Sequence, residues 1–258
     1  MLNLWLRRVA IHGIFSGLLL SSGVAMASGL QVSPISLSLQ AKENASGLTL
    51  SNTGDNEVHA QVRVYQWSQD EKGDQLTASR GLLASPPMIK LQPGEKQLIR
   101  IIRASAPPSG IGAVENSYRL SIDELPIKSA EQKSGLQFAL SYSLPVFVNP
   151  VGITETNPKL QWSYSLQPDS LQKNGKQMNL RVSNSGNGHA QLADLGVIDT
   201  AGNNINIHQG LLGYVLPGAT MNWTLKIPPS ALMTSGKFKV MINGTQTTQN
   251  ITLDGTTR

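Results

Sequence analysis

Hydrophobic and polar residues alternate over many short stretches of this chain. In residues 58–67, Val58, Ala60, Val62 and Val64 share one face, and Arg63, Tyr65 and Trp67 lie on the other. Because successive side chains of a strand point to opposite faces, this period of two predicts strands with one buried face. No stretch shows the 3.6-residue period of a long amphipathic helix. The pattern therefore predicts an all-β protein.

Turn residues divide these alternating stretches into two comparable sets of strands. The predicted strands cover residues 30–33, 35–39, 48–51, 58–67, 97–103, 118–125 and 136–148, and then 162–166, 178–182, 190–198, 221–227 and 237–242. Asn52-Thr53-Gly54 and Asn184-Ser185-Gly186 sit between strands at similar places in the two halves. Residues 149–158 contain two prolines and a glycine and are typical of a domain junction. We expect two immunoglobulin-like β-sandwich domains, residues 28–148 and 149–258, with a frayed polar tail from Thr252.

The first 27 residues are expected to be a signal peptide rather than part of the fold. Arg7 and Arg8 precede a short apolar stretch at residues 14–20, and Ala25-Met26-Ala27 fits the small-x-small rule for cleavage. The apolar stretch is shorter than the roughly 20 residues that span a bilayer. The mature protein would then begin near Ser28.

Charge and composition exclude several classes of function. The net charge of +5 falls to +3 when Arg7 and Arg8 leave with the signal, and no basic run or basic helix remains, so nucleic acid is not a predicted partner. The chain has no cysteine, which excludes disulfides, thiolate metal sites and cysteine nucleophiles. Its four histidines are scattered without metal-ligand spacing. No metal, cofactor or small-molecule substrate is predicted.

The adjacent acids Asp123 and Glu124 are the one pair that invites a catalytic interpretation. Adjacent strand residues point to opposite faces, so these two carboxylates do not act on one substrate, and a solvated strand end is expected. A glycan-active enzyme on a β-sandwich would need two carboxylates about 5–10 Å apart across a cleft. No motif suggests that arrangement, and we predict that the protein is not an enzyme.

Five segments of the first half resemble the PapD-like periplasmic pilus-assembly chaperones of the chaperone–usher pathway. In order they are Leu48-x-Leu50-x-Asn52-x-Gly54, Ser85-Pro86-Pro87, Leu91-x-Pro93-Gly94 with Arg100, Tyr118-Arg119 with Asp123-Glu124-Leu125-Pro126, and Leu144-Pro145-Val146-Phe147-Val148-x-Pro150. The fourth segment is most similar to the archaic branch, which builds thin Csu-type or spore-coat-U-like pili. The second half is similar mainly in length and strand style.

The resemblance implies two immunoglobulin-like sandwiches set at an angle, like a boomerang, in a periplasmic chaperone. Such a chaperone binds pilin subunits and presents them to an outer-membrane usher. A pilin lacks its last strand, and its open groove and bare sheet edges are prone to aggregate. The chaperone lends a strand whose backbone pairs with those edges and whose alternate side chains fill the groove. This mechanism needs neither ATP nor a metal ion.

The predicted donor strand is Leu136 to Tyr142, where Leu136, Phe138, Leu140 and Tyr142 point to one side. It directly precedes the position where the family places the last strand of its first domain. Burial of each large apolar side chain is worth roughly 1.5–3 kcal/mol. An ordinary core strand is the alternative interpretation. The uncovered strand also leaves self-association of the free protein open, because exposed apolar edges pair readily.

The resemblance also implies a basic residue that grips the C-terminal carboxylate of the pilin. In one branch of the family, the first strand and the donor strand each supply one such residue. This chain departs from that pattern, because residues 30–39 contain no base and the aligned donor-strand residue is Pro145. Arg119 is the first candidate, since its strand should flank the donor strand, and Arg100 and Arg103 follow. A surface arginine without this role is the alternative for Arg119.

A second function class remains beside the chaperone. A pilus adhesin or another surface-exposed structural protein would also be built from immunoglobulin-like domains. Such a chain would more often carry cysteine pairs or an N-terminal donor extension, and here the polar start of the mature chain is too short for one. Neighbouring genes for small exported pilins and a large β-barrel usher would favour the chaperone.

Overall fold

The computed structural model describes residues 29–127, 139–168, 176–198, 202–228, 237–250 and 252–253. These residues form 18 strands and no helix, so the all-β prediction is confirmed. None of the described segments is a helix that could cross a membrane. The predicted signal peptide, and the donor-strand residues Leu136 and Phe138, lie outside the described residues.

The first sandwich is made by ten strands that alternate inward and outward residues. They are β1 (Leu30–Ser33), β2 (Leu37–Leu39), β3 (Ala45–Asn52), β4 (Val58–Asp70), β5 (Gly73–Ala78), β6 (Leu82–Ser85), β7 (Met88–Leu91), β8 (Lys96–Arg103), β9 (Asn116–Leu125) and β10 (Ser141–Val148). One sheet has the order β1-β3-β8-β6, and the other has β2-β10-β9-β4-β5 with β7 paired to β4. Leu50, Ile99, Leu120 and Ile122 are fully buried between them.

The second sandwich is made by eight strands from residues 160–253. They are β11 (Leu160–Pro168), β12 (Lys176–Asn184), β13 (Ala190–Ile198), β14 (Asn204–Val215), β15 (Thr220–Ile227), β16 (Lys237–Ile242), β17 (Thr245–Asn250) and β18 (Thr252–Leu253). The sheet orders are β15-β12-β11-β18 and β14-β13-β16-β17. No strand of the described chain lies between Val148 and Leu160, in keeping with a junction there. The two-domain β-sandwich fold is thus confirmed.

Several strands of the structure were not predicted from the sequence. Strands β5 and β17 were not predicted because most of their residues are exposed, so their sequences show no apolar alternation. Strand β14 was not predicted because it is irregular. Its pairing with β13 contains three register shifts, and Gly210 and Gly213 within it have φ angles of 80° and 155°. A bulge breaks the period of two that marks a strand in sequence. The tail does not begin to fray at Thr252, since β18 pairs in parallel with β11.

The two asparagine turns have the same internal chemistry in both domains. Asn52 is 1% exposed, and its amide donates to the carbonyls of Asn56 and Leu91 while its Oδ1 accepts from Gly54 N. Asn184 is 2% exposed, and its amide donates to two carbonyls in the same way while its Oδ1 accepts from Gly186 N. A buried amide that satisfies several backbone groups fixes the path of the chain. The turns therefore occupy equivalent places in the two sandwiches, as the sequence predicts.

Replacing Asn184 with alanine is expected to lower the free energy of unfolding by about 2 kcal/mol, because the buried carbonyls of Gly188 and Val215 lose their donor. Urea unfolding followed by tryptophan fluorescence measures this change. Asn222→Ala is the matched control, because Asn222 is exposed on β15 and its loss should change stability by less than about 0.5 kcal/mol. Equal unfolding midpoints for the two variants would contradict the role assigned to the buried amide.

Candidate functional site

Strand β10 has one edge that is only partly covered. It pairs antiparallel with β9 along its whole length, but its parallel pairing with β2 is confined to residues 146–148. Along residues 141–145, the second edge of β10 has no strand partner in the described part of the chain. Such an edge presents backbone N–H and C=O groups to which another chain can add a strand.

Two of the four predicted donor-strand residues lie at the margin of the first-domain core. Leu140 and Tyr142 are half-buried and pack against that core, and the Tyr142 hydroxyl donates to Leu30 O at 2.6 Å. Leu144 is the next residue on the same face and is buried. The inward face of β10 thus continues to residue 140. The assignment of Leu136, Phe138, Leu140 and Tyr142 to a pilin groove stays a prediction.

Hydrogen bonds from β9 and β4 fix the start of β10. Ser141 Oγ donates to Asp123 Oδ1 at 2.5 Å, Arg63 Nη2 lies 2.7 Å from Asp123 Oδ2, and Leu140 N donates to Glu124 Oε2. Burial raises the pKa of the Asp123 carboxyl, but the bonds from Arg63, Ser141 and Ser121 outweigh it and hold the pKa below its ordinary value. The acidic pair is half-buried and bonded, not the solvated strand end expected from the sequence.

Arg119 lies beside β10 on the outward face of the same sheet. It is opposite Pro145 of β10, and its strand β9 pairs with β10 along residues 141–148. Its guanidinium carbon is 3.8 Å from the centroid of the Trp67 ring and 5.1 Å from that of Tyr214. A long hydrogen bond of 3.4 Å joins Arg119 Nη1 to Ser143 O.

The guanidinium of Arg119 is half-buried. No acidic side chain of the described residues lies within ion-pair distance of it. Burial lowers the pKa of Arg119 from its ordinary value, and the more distant charge of Asp74 opposes this effect. A guanidinium has five N–H donors in one plane, and Ser143 O uses one of them. The side chain is therefore suited to receive an anion from outside the chain.

The other two predicted anchors lie on β8, in the opposite sheet. Arg100 is exposed and faces outward between Gly47 and Ser85. Arg103 donates to four acceptors, which include the carbonyls of Ala41 and Glu43, and so holds the loop before β3. Of the three arginines, the structure places only Arg119 next to β10.

The second domain covers one end of the sheet that carries Arg119. Trp67 of β4 and Phe147 of β10 belong to the same apolar cluster as Tyr214 and the core of the second domain. The Phe147 ring stacks on His189 at 3.5 Å, and the buried Glu115 carboxylate lies 2.8 Å from His189 Nδ1. These contacts leave Arg119 at the boundary between the two domains.

Sequence reasoning missed Trp67 and Tyr214 as parts of this site. Trp67 had one signal, which was its place on the outward face of β4 beside Arg63 and Tyr65. No sequence signal indicated Tyr214, because it lies in the bulged strand β14, whose pattern did not predict a strand. Within the described residues, no group of three or more His, Cys, Asp or Glu side chains could hold a metal ion.

Comparison with known proteins identifies the family. Residues 29–154 match the family described as pili and flagellar-assembly chaperone, PapD N-terminal domain. Comparison with curated protein sequences finds no match.

Solved structures match nearly the whole chain. The CsuC chaperone in the CsuC–CsuE chaperone–tip adhesion subunit pre-assembly complex, from archaic chaperone–usher Csu pili of Acinetobacter baumannii, has 27% identity and a TM-score of 0.65 over 87% of this chain and 99% of that chain. The Pseudomonas aeruginosa CupB2 chaperone has 19% identity and a TM-score of 0.54 over 87% and 100%. A chain of the Salmonella enterica SafA pilin–SafB chaperone complex has 16% identity and a TM-score of 0.56 over 86% and 94%. The last two show a shared fold.

The sandwich fold and these matches place the first domain among the PapD-like pilus-assembly chaperones. Residues 29–154 belong to the PapD N-terminal domain family, and the resemblance inferred from the sequence, including its archaic Csu-type leaning, is confirmed. The family is a class of periplasmic chaperones.

Proposed function

We propose that this protein binds a pilin subunit in the periplasm by donor-strand complementation, keeps it from aggregating and delivers it to an outer-membrane usher. The observation that carries the proposal is the uncovered edge of β10 at residues 141–145, beside a half-buried arginine without an acidic partner in the described chain. The uncovered edge can bind an added strand, and the arginine can bind a carboxylate. A polypeptide with a free C-terminus offers both.

The edge of β10 supports strand addition. A pilin strand added along residues 141–145 would bond to backbone groups that β2 leaves unpaired. By the period of two, Leu136, Phe138 and Leu140 share one side of the segment before β10, and in this proposal that side would enter the groove of the pilin. Ser141 and Ser143 face the other side and are exposed. Because the period of two places the large apolar residues of the predicted donor strand on one face, one strand would both pair with the pilin backbone and fill the pilin core.

Arg119 supports a defined register for that strand. It lies opposite Pro145, close to the end of the uncovered edge, and its donors lack an anion among the described residues. A C-terminal carboxylate bound there would be held at one fixed distance from Leu140. Shifting the pilin by one residue would turn every groove side chain to the wrong face. The anchor therefore selects the register in which apolar residues meet.

The division into residues 28–148 and 149–258 is part of the proposal, with the first domain as the pilin-binding domain. The alternative, a structural pilus or adhesin protein, would contribute its strands to a fibre and would not release a subunit. A chaperone and a structural pilus protein differ in the stoichiometry of their complex with the pilin and in whether the pilin is later released.

Co-expression with the pilin of the same gene cluster tests the proposal. We expect a soluble one-to-one complex in periplasmic extracts and insoluble pilin when the chaperone is omitted. Addition of a peptide with the pilin N-terminal donor sequence should release the chaperone, because a permanent strand replaces the lent one. A chain that instead forms polymers with the pilin and stays in the fibre would support the structural alternative and overturn the chaperone function.

A further inference from the structure

The carboxylate anchor is built from both domains. Trp67 of the first domain and Tyr214 of the second have ring planes at 78° with centroids 5.3 Å apart, and they form a corner. The Arg119 guanidinium lies in this corner, within 6 Å of both ring centroids. Each contact is in the range where an aromatic ring attracts a cation. A guanidinium held against a ring face keeps its N–H donors along its own edge, where a carboxylate approaches.

The ring of Tyr214 is itself held in place by contacts from both domains. Gln191 Nε2 donates to the Tyr214 hydroxyl at 2.8 Å, and Tyr214 is 9% exposed. Gln69, near the end of β4 in the first domain, donates to Tyr214 O at 2.9 Å and accepts from Leu216 N at 2.8 Å. The side-chain amide of Gln69 thus bonds the backbone of residues 214 and 216 to the first domain. The position of the ring over Arg119 depends on this contact.

We propose that Tyr214 is a positioning residue for pilin recognition: the second domain orients the Arg119 guanidinium and so sets the preference for a free C-terminal carboxylate. This inference rests on the proposed function, in which Arg119 binds that carboxylate. Without the second ring, Arg119 keeps its charge but gains rotamers, and long flexible side chains lose free energy when they are fixed on binding. The second domain then determines affinity without touching the pilin strand.

The test measures binding of two synthetic peptides with the pilin C-terminal sequence, one with a free carboxylate and one with a C-terminal amide, to the full chaperone. We expect wild type to prefer the free acid, and Tyr214→Leu to reduce that preference by about tenfold. Tyr214→Phe keeps the ring and should retain the preference. Leu180→Ala loosens the core of the second domain from β12, in the sheet opposite that of Tyr214, so its acid-to-amide ratio should equal that of wild type.

The outcomes separate this inference from the proposed function. An unchanged ratio in a folded Tyr214→Leu variant, with a reduced ratio in Arg119→Ala, would overturn the positioning role and leave the anchor intact. An unchanged ratio in both variants would refute the assignment of Arg119 as the carboxylate anchor. If Tyr214→Leu fails to fold, Gln69→Leu decides, because it releases the backbone of Tyr214 and keeps every ring. We expect it to lower the ratio about threefold, and an unchanged ratio would overturn the inference.

Discussion

Replacing Phe138 with aspartate is expected to abolish capture of the pilin while the chaperone stays folded. Phe138 is the central apolar residue of the predicted donor strand, between Leu136 and Leu140. Its burial in the pilin groove would contribute roughly 1.5–3 kcal/mol, and an unpaired carboxylate in that groove adds a further cost. The affinity should fall by at least about 100-fold. Co-purification from periplasmic extracts measures the loss, and circular dichroism with urea unfolding measures the fold.

Ala139→Asp is the matched control for this variant. It adds the same charge one residue further along, on the opposite side of the strand, and Ala139 is exposed in the structure. We expect this variant to retain the pilin. Leu140→Asp is a weaker test, because Leu140 packs against the core of the chaperone and its loss affects stability as well. Equal pilin binding by the Phe138 and Ala139 variants would show that the apolar face of this segment does not enter the pilin.

Replacing Arg119 with alanine is expected to lower pilin affinity by about 100-fold without loss of fold. Truncation of one member of a desolvated, hydrogen-bonded charge pair costs about 2–5 kcal/mol, and 100-fold corresponds to about 2.7 kcal/mol. The side chain makes one long hydrogen bond and no ion pair with the described residues, so its removal leaves no acidic partner among them unpaired. Arg119→Lys should be intermediate, because an ammonium keeps the charge but loses the planar fork.

Competition binding against labelled wild-type chaperone measures the affinity of each arginine variant. Arg100→Ala is the control, since Arg100 is exposed on the opposite sheet, and its affinity should equal that of wild type. Arg103→Ala should instead lower stability, because four hydrogen bonds to its guanidinium are lost. Pilin binding that is weakened by Arg100→Ala but not by Arg119→Ala would place the anchor on the other sheet and refute the assignment to Arg119.

Local patterns predicted most of the longer strands in which one face is buried and the other is not, but they missed the four-residue strands β6 and β7. The run from Val58 to Trp67 became β4, and Ala190 to Ile198 became β13, because period-two alternation directly reflects the geometry of a half-buried strand. The same reasoning failed for β14, where bulges and two glycines with positive φ interrupt the alternation. It also failed for the polar edge strands β5 and β17, which bury little. Pairing partners, not their own residues, keep these segments extended.

The same distinction between local sequence patterns and tertiary contacts applies to the candidate site. The sequence by itself determined the all-β class, the two matched asparagine turns and the apolar alternation of residues 136–142, because each depends on residues close together in the chain. The choice of Arg119 as a candidate anchor followed from the family resemblance. Only the tertiary structure decided that Arg100 and Arg103 lie on the other sheet and that Trp67 and Tyr214 meet around Arg119. Trp67 and Tyr214 are far apart in sequence and in different domains, and no local pattern records a contact between distant strands. Such contacts arise from how the sheets pack, which is why the second domain's part in the site emerges only from the folded chain.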